Sequence, residues 1–342
     1  MALLRCGKCG HLREVSNDYR GKTVKCPQCR APSPIYDTVA FVTKVIEQFI
    51  AQKNELQQLR SELSHQAAPD AAENAQEQAQ PAQPLSDIDI YNTAEFKSEQ
   101  QYEPILKFFQ KQHIEIDVNH QALDTTGFFD EVAVQLGDRY HTLRLVSDKI
   151  KYIQQKGYTN VKIPLKKKSQ KDIQVITQFC KDLYEYSFVA KYFYQKQEKI
   201  VRLTLQTAPK IVRFFNGEWM EWFVFMKLLD FFQEKQLTVS CLRNLSVRFQ
   251  NKDQHELDVF FLIKNTIPLC IECKTGEFRQ DIEKYSVLRE RLKLDGQQFL
   301  ICVIGLSDKQ TLGLTSMYDL TFVNEKNFLQ QVEKNLGNYS AQ

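Results

Sequence analysis

Two apolar runs in the last third of the chain limit the fold most. They are Leu257-Asp-Val-Phe-Phe-Leu-Ile263 and Pro268-Leu-Cys-Ile-Glu-Cys-Lys274, separated by the polar Lys264-Asn-Thr. Short apolar runs bounded by turn residues predict strands, and so short a turn makes the two strands antiparallel neighbours. Side chains alternate between the faces of a strand. Leu269, Ile271 and Cys273 are therefore expected on one face, and Cys270, Glu272 and Lys274 on the other. Glu272 and Lys274 then point the same way, about 7 Å apart along the strand. With Asp258 on the neighbouring strand, two acids and a lysine can converge on one small volume.

Hydrolysis of a phosphodiester uses such a set. Paired carboxylates suit a hard divalent cation such as Mg2+ or Mn2+, which prefers oxygen ligands. The cation acidifies a bound water and neutralises phosphate charge. The carbonyl of Cys273 offers a further ligand, and Lys274 can position the water and stabilise developing charge.

The surroundings predict an α/β core. Phe215-Asn-Gly-Glu-Trp-Met-Glu221 opens a helix that is apolar almost all round and must be buried, so Glu221 in its first turns needs a partner. Leu245–Gln250 reads as a strand, as do the apolar run from Gln298 to Gly305 and the segment from Leu320 to Val323. The segments QDIEKYSVLRERLKL and KNFLQQVEKNL read as helices. His255 is expected at an incidental loop position. Cys270 and Cys273 fall on opposite strand faces and are read as non-ligands.

This arrangement resembles the PD-(D/E)XK nuclease superfamily, with Asp258 at the motif Asp and Glu272-Cys273-Lys274 as its E-x-K triplet. The trio GEWMEW, ELDVFF and IECKTG is similar to the nuclease half of CRISPR-associated ancillary nucleases. The resemblance covers roughly residues 210–335. It implies a restriction-endonuclease-like mixed sheet flanked by helices and a metal-dependent endonuclease, with DNA ranked ahead of RNA as substrate. It also implies that Glu221 completes the metal site and that Lys284 lies near the phosphate. Upstream the chain departs from that family: residues 1–200 show no Gly-rich turn after a strand.

The N-terminus has its own chemistry. Cys6-Gly-Lys-Cys9 and Cys26-Pro-Gln-Cys29 carry the Cys-x2-Cys spacing that grips tetrahedral zinc, with 16 residues between the pairs. Residues 1–36 therefore resemble a zinc ribbon with structural Zn2+. Residues 37–65 predict a helix whose seam runs through Val42, Val45, Phe49, Leu56, Leu59 and Leu63. Two readings stay open there: a homodimerisation coiled coil over residues 39–63, or an amphipathic helix packing on its own chain. Residues 66–94, rich in Ala, Gln, Pro and acids, are expected to be a disordered tether.

Residues 95–208 are expected to form an α+β module, winged-helix-like or otherwise, that could bind substrate. Three helical patterns precede a hairpin formed by SFVAKYFYQ and KIVRLTLQ. Between two of the helices lie Lys162, Lys166, Lys167 and Lys168, with Lys171 just after. These lysines either track nucleic-acid phosphates or form a solvated face. Residues 209–342 are left as the nuclease domain.

Net charge is only +3, so nucleic-acid binding has to be argued locally. No apolar run reaches the length of a membrane span. Nine cysteines, four at the N-terminus and five among apolar neighbours, fit a reducing, cytoplasmic compartment. The competing function is a non-catalytic nucleic-acid- or protein-binding adaptor that works through the zinc ribbon and coiled coil.

Overall fold

The computed structural model describes residues 2–6, 8–9, 11–37, 99–123 and 127–340. The expected helix beyond Asp37 and the tether over 66–94 lie outside the described residues. The chain divides into two compact units, Met1–Ala79 and Gln80–Gln342.

In the first unit, β1 (Ala2–Arg5), β2 (Leu12–Val15), β3 (Thr23–Lys25) and β4 (Pro32–Asp37) form an antiparallel sheet in the order β2-β1-β4-β3. Its buried apolar cluster is Ala2, Leu4 and Ile35, with Val15 and Val24 against it. So small a core needs an added cross-link to hold a fold.

The second unit is mixed α/β. Its helices are α1 (Glu99–Gln110), α2 (Phe129–Asp138), α3 (Tyr140–Gln155) and α4 (Gln170–Glu185), followed by α5 (Trp219–Glu234), α6 (Ile282–Arg291), α7 (Asp308–Met317) and α8 (Phe328–Ser340). One sheet has six strands: β5 (Glu115–Asp117), β9 (Val239–Arg248), β10 (Gln254–Ile263), β11 (Ile267–Lys274), β12 (Phe299–Val303) and β13 (Thr321–Val323). Their order is β13-β12-β11-β10-β9-β5. The β5, β9, β10 and β11 pairings are antiparallel, and β11-β12 and β12-β13 are parallel. The other sheet has the order β6-β8-β7, from β6 (Asn160–Pro164), β7 (Val189–Gln195) and β8 (Ile200–Leu205).

The adjacent Phe260 and Phe261 show how the six-stranded sheet is covered. Successive strand residues face opposite ways. Phe260 meets Phe109 of α1 at 4.9 Å, and Phe261 meets Phe232 and Phe225 of α5 at 5.1 and 5.5 Å. The two helices therefore lie on opposite faces. The expected burial of the apolar helix is met: residues from Trp219 to Phe232 fill the centre of the unit. The described parts of segments 95–208 and 209–342 share one buried cluster, running from Ile105 to Val332. Gly137 of α2 is part of that junction, because a Cβ there would stand 2.2 Å from the Phe223 ring of α5.

Several expectations are corrected. The strand read from Leu245 starts at Val239, so it includes Arg243 and Asn244. His255 lies within β10 rather than in a loop. Lys162 does lie between two helices as expected, on the strand β6, whose alternation buries Val161 and Ile163 and leaves Lys162 outward. The helices α1 and α7 were not anticipated.

Candidate active site

The antiparallel ladder between β10 and β11 runs from Ile263↔Ile267 to Val259↔Ile271 and stops there. Beyond that pair the Asp258 side chain takes the place of a main-chain acceptor: its Oδ2 accepts from the Cys273 N–H at 2.7 Å. The opening of the ladder thus fixes an acid from one strand against the Glu272-Cys273-Lys274 triplet of the other. On the far side β11 pairs in parallel with β12, Glu272 opposite Ile301 and Lys274 opposite Val303, so the triplet has a rigid base.

Glu272 is 3% exposed, and its Oε1 has no hydrogen-bond partner among the described residues. Burial, reinforced by the negative charge of Asp258, pushes its carboxyl well above the usual range, against Lys274. Burial also raises Asp258, opposed by Lys274 and the Cys273 N–H. Lys274 itself is raised: burial alone would lower it, but Asp258, the Tyr285 hydroxyl and Glu272 outweigh that and hold it as an ammonium. Its Nζ stands 5.3 Å from the Tyr285 ring centroid.

Glu221 enters from α5. A short helix (Pro209–Arg213) and a π-turn (Phe214–Glu218) lead into that helix, and Gly217 in the turn has φ 154°. A Cβ on Gly217 would come within 3.3 Å of Thr275 Oγ1, so the glycine lets the helix start approach the exit of β11. The partner that Glu221 needs is Arg243, 1% exposed, whose guanidinium donates to Glu221 Oε2 at 3.1 Å. Asn244 Nδ2 donates to the same oxygen at 3.1 Å. Arg243 also donates to the Ala122 carbonyl and lies 3.9 Å from the Trp222 ring centroid. Burial, then the charge of Asp258, pushes Glu221 up to about 7 despite Arg243. A cavity of 390 Å³ opens beside this network, lined among others by Lys210, Arg213, Trp222 and Arg243.

The four sequence-predicted groups Glu221, Asp258, Glu272 and Lys274 therefore share one electrostatic neighbourhood. The three carboxylates do not form a tight cage. Among the described residues, only Cys6, Cys9, Cys26 and Cys29 gather three or more such ligand atoms within 4.8 Å of one another. Arg243 and Asn244 hold Glu221, and the Cys273 N–H holds Asp258. Lys284 is exposed at the rim, lining an open cavity of 640 Å³ with His255, Asp253 and Arg291, and its charge reaches Glu272. Lys162, Lys166, Lys167, Lys168 and Lys171 lie elsewhere: Lys162 on β6, Lys166, Lys167 and Lys168 in the turn after it, and Lys171 at the start of α4.

Sequence reasoning missed Arg243, Asn244 and Tyr285. The available signal was the demand of Glu221 for a buried base, which Arg243 meets from a strand whose start was read too late.

In the first unit the Sγ atoms of Cys6 and Cys29 are 3.4 Å apart, and those of Cys9 and Cys26 are 3.7 Å apart. A disulfide needs about 2.05 Å. Four thiolates about 2.3 Å from one tetrahedral zinc are separated by about 3.8 Å. The cluster therefore fits a zinc ribbon.

Known proteins resemble parts of this chain. Residues 209–300 match the family model described as Card1-like, endonuclease domain. Among solved structures, the chain is similar to protein VC1899 from Vibrio cholerae, with 17% identity, TM-score 0.45, 80% of this chain and 66% of that one covered. It is also similar to Can2 from Sulfobacillus thermosulfidooxidans, solved in complex with cyclic tetra-adenylate, with 16% identity, TM-score 0.44, 67% of this chain and 59% of that one covered. The chain thus spans less than two thirds of the length of either structure. No curated protein matches. Residues 209–300 are the part of this chain that carries a Card1-like endonuclease domain.

Proposed function

We propose that the chain is a divalent-metal-dependent endonuclease of the PD-(D/E)XK type that hydrolyses phosphodiester bonds, in DNA ahead of RNA. The observation that carries this reading is Glu272 Oε1, a buried carboxylate oxygen with no partner among the described residues, beside Asp258 and Lys274. Such an oxygen is costly to bury unless a cation satisfies it. Oxygen donors of this kind suit Mg2+ or Mn2+, with Asp258 and Glu272 as ligands and Glu221 as supplement. When bound, the cation acidifies water and neutralises phosphate charge.

The residues of the chain do the rest. Lys274 stays protonated, so it orients the attacking water and stabilises charge on the phosphate rather than accepting a proton. Asp258 holds the β11 backbone in register through Cys273. Arg243 and Asn244 hold Glu221 within electrostatic range of Asp258. Lys284, exposed at the rim, contacts the phosphate.

Structural Zn2+ on the four cysteines holds the first unit together, and the lysines of the middle segment track phosphates. The dimerisation reading of residues 39–63 falls on residues outside those described. No helix among the described residues is long and apolar enough to cross a membrane, and the thiol usage suits the cytoplasm.

The test is incubation of the full chain with plasmid, linear, single-stranded and RNA substrates plus Mg2+ or Mn2+. Cleavage that needs the cation and disappears in Asp258→Ala and Lys274→Ala supports the reading. No cleavage of any substrate, or full cleavage by both variants, overturns it.

A further inference from the structure

The three-stranded sheet β6-β8-β7 has one face packed into the core and one face open. Val161, Ile163, Val201, Leu203 and Leu205 turn inward, and Tyr192 and Tyr194 pack against the same cluster. The residues between them form rows across the outer face. Lys162 is paired with Arg202, and Arg202 with Phe193. In the next row Asn160 is paired with Thr204, and Thr204 with Lys191. Lys162, Arg202 and Lys191 are exposed, and Phe193 is 59% exposed.

An exposed phenylalanine in a row with an arginine and a lysine is not what a solvated sheet face needs. Beside the row, a groove of 570 Å³ runs between β6 and the flank of α3. Lys149, Lys162 and Lys166 supply its charge, Ile153, Pro164 and Ile200 its apolar floor, and no carboxylate lines it. Nearby basic residues on the helices are neutralised, Arg144 by Asp148 and Lys181 by Glu185. Lys149, Lys162, Lys166, Lys191 and Arg202 have no ion pair among the described residues.

We propose that this outer face and groove form a binding platform for single-stranded nucleic acid, separate from the candidate active site. One unstacked base lies on the Phe193 ring, and the cations of the two rows and the groove take the flanking phosphates. Stacking on an aromatic ring tolerates any base but requires it to leave a duplex, so the platform selects single strands over double strands. Successive rows are about 6.6 Å apart along the strands, which matches the backbone repeat of an extended strand. The choice of nucleic acid as occupant rests on the nuclease reading together with the unpaired positive charge.

The test is fluorescence-anisotropy binding of labelled oligothymidylate, oligouridylate and a duplex of the same length to the full chain, without added divalent cation. Single strands of either sugar should bind more tightly than the duplex. Phe193→Ala should weaken binding roughly tenfold, and Phe193→Tyr should restore it. Arg202→Gln and Lys162→Gln should each lower the salt dependence of log K by about 0.7. Unchanged affinity and salt dependence in all these variants, or a duplex bound as tightly as the single strands, overturns the platform. Because binding is read without cleavage, that result leaves the nuclease reading standing. Binding that follows Phe193 and Arg202 would conversely survive failure to find cleavage.

Discussion

Asp258 Oδ2 lies 2.7 Å from the backbone nitrogen of Cys273, where the β10–β11 ladder ends. This bond joins the two halves of the candidate site. It fixes the acid of one strand against the Glu272–Lys274 pair of the next, and it brings two raised carboxyls and one retained ammonium into mutual range. Burial thus presses both acids to keep their protons, at a point held rigid by the sheet.

The first prediction concerns Arg243. It is almost fully buried and bonds Glu221, so its removal leaves that carboxylate buried without a base. Arg243→Met should destabilise the protein by about 3–5 kcal/mol, the usual cost of breaking a buried pair from one side. Adding Glu221→Gln should recover part of that loss. Urea unfolding of the two single variants and the double variant measures the coupling. Strictly additive losses would show that the contact carries no energy.

The second concerns pH. An ordinary Glu gives up its proton near 4.5, whereas folded Glu221 keeps its own up to about 7. Between those values the native state holds more protons than the unfolded state, so metal-free stability should fall as pH rises through the window. Mg2+ and Mn2+ bind deprotonated carboxylates, so their stabilisation should grow over the same range. Thermal melts across that range, with and without Mn2+, check both slopes. Glu221→Gln should flatten the metal-free slope.

The N-terminal cluster gives the third. The full chain should carry one zinc, and Cys9→Ser should remove most of it, as read by native mass spectrometry. Residues 2–37 should then become sensitive to proteolysis, because their own apolar core is so small.

A fourth tests the packing that joins the middle segment to α5. Gly137→Ala forces a Cβ into the Phe223 ring. It should cost about 1–3 kcal/mol of stability through overpacking. An unchanged unfolding midpoint would contradict the close approach of α2 and α5.

The strands that carry chemistry were legible because their alternation is local. The short turn at Lys264–Thr266 and the phase of Glu272 against Lys274 follow from neighbouring residues alone. The zinc spacing is equally local. What escaped were features that depend on distant partners. Arg243 interrupts the apolar run Val-Ser-Cys-Leu-Arg-Asn-Leu and reads as the end of a strand, yet it is buried because Glu221, Trp222 and the Ala122 carbonyl receive it. The edge strand β5 is three residues long with two acids, too polar and short to announce itself without its neighbour β9. The helix α7 buries only Thr311 and exposes Leu312 and Met317, so it shows no clear apolar stripe.

The most direct measurement is the rate of metal-dependent cleavage by Glu272→Gln and Lys274→Met beside the parent chain, on whichever substrate of the panel is cut. Each substitution nearly preserves shape and removes one charge from the site. Both should lose at least about a hundredfold in rate. Glu272→Gln should unfold at or above the midpoint of the parent, since a buried acid has gone, and Lys274→Met somewhat below it yet still folded, since Asp258 and Glu272 lose their ammonium. Parent-like cleavage by both folded variants would contradict the assignment of this acid–acid–lysine group as the active site.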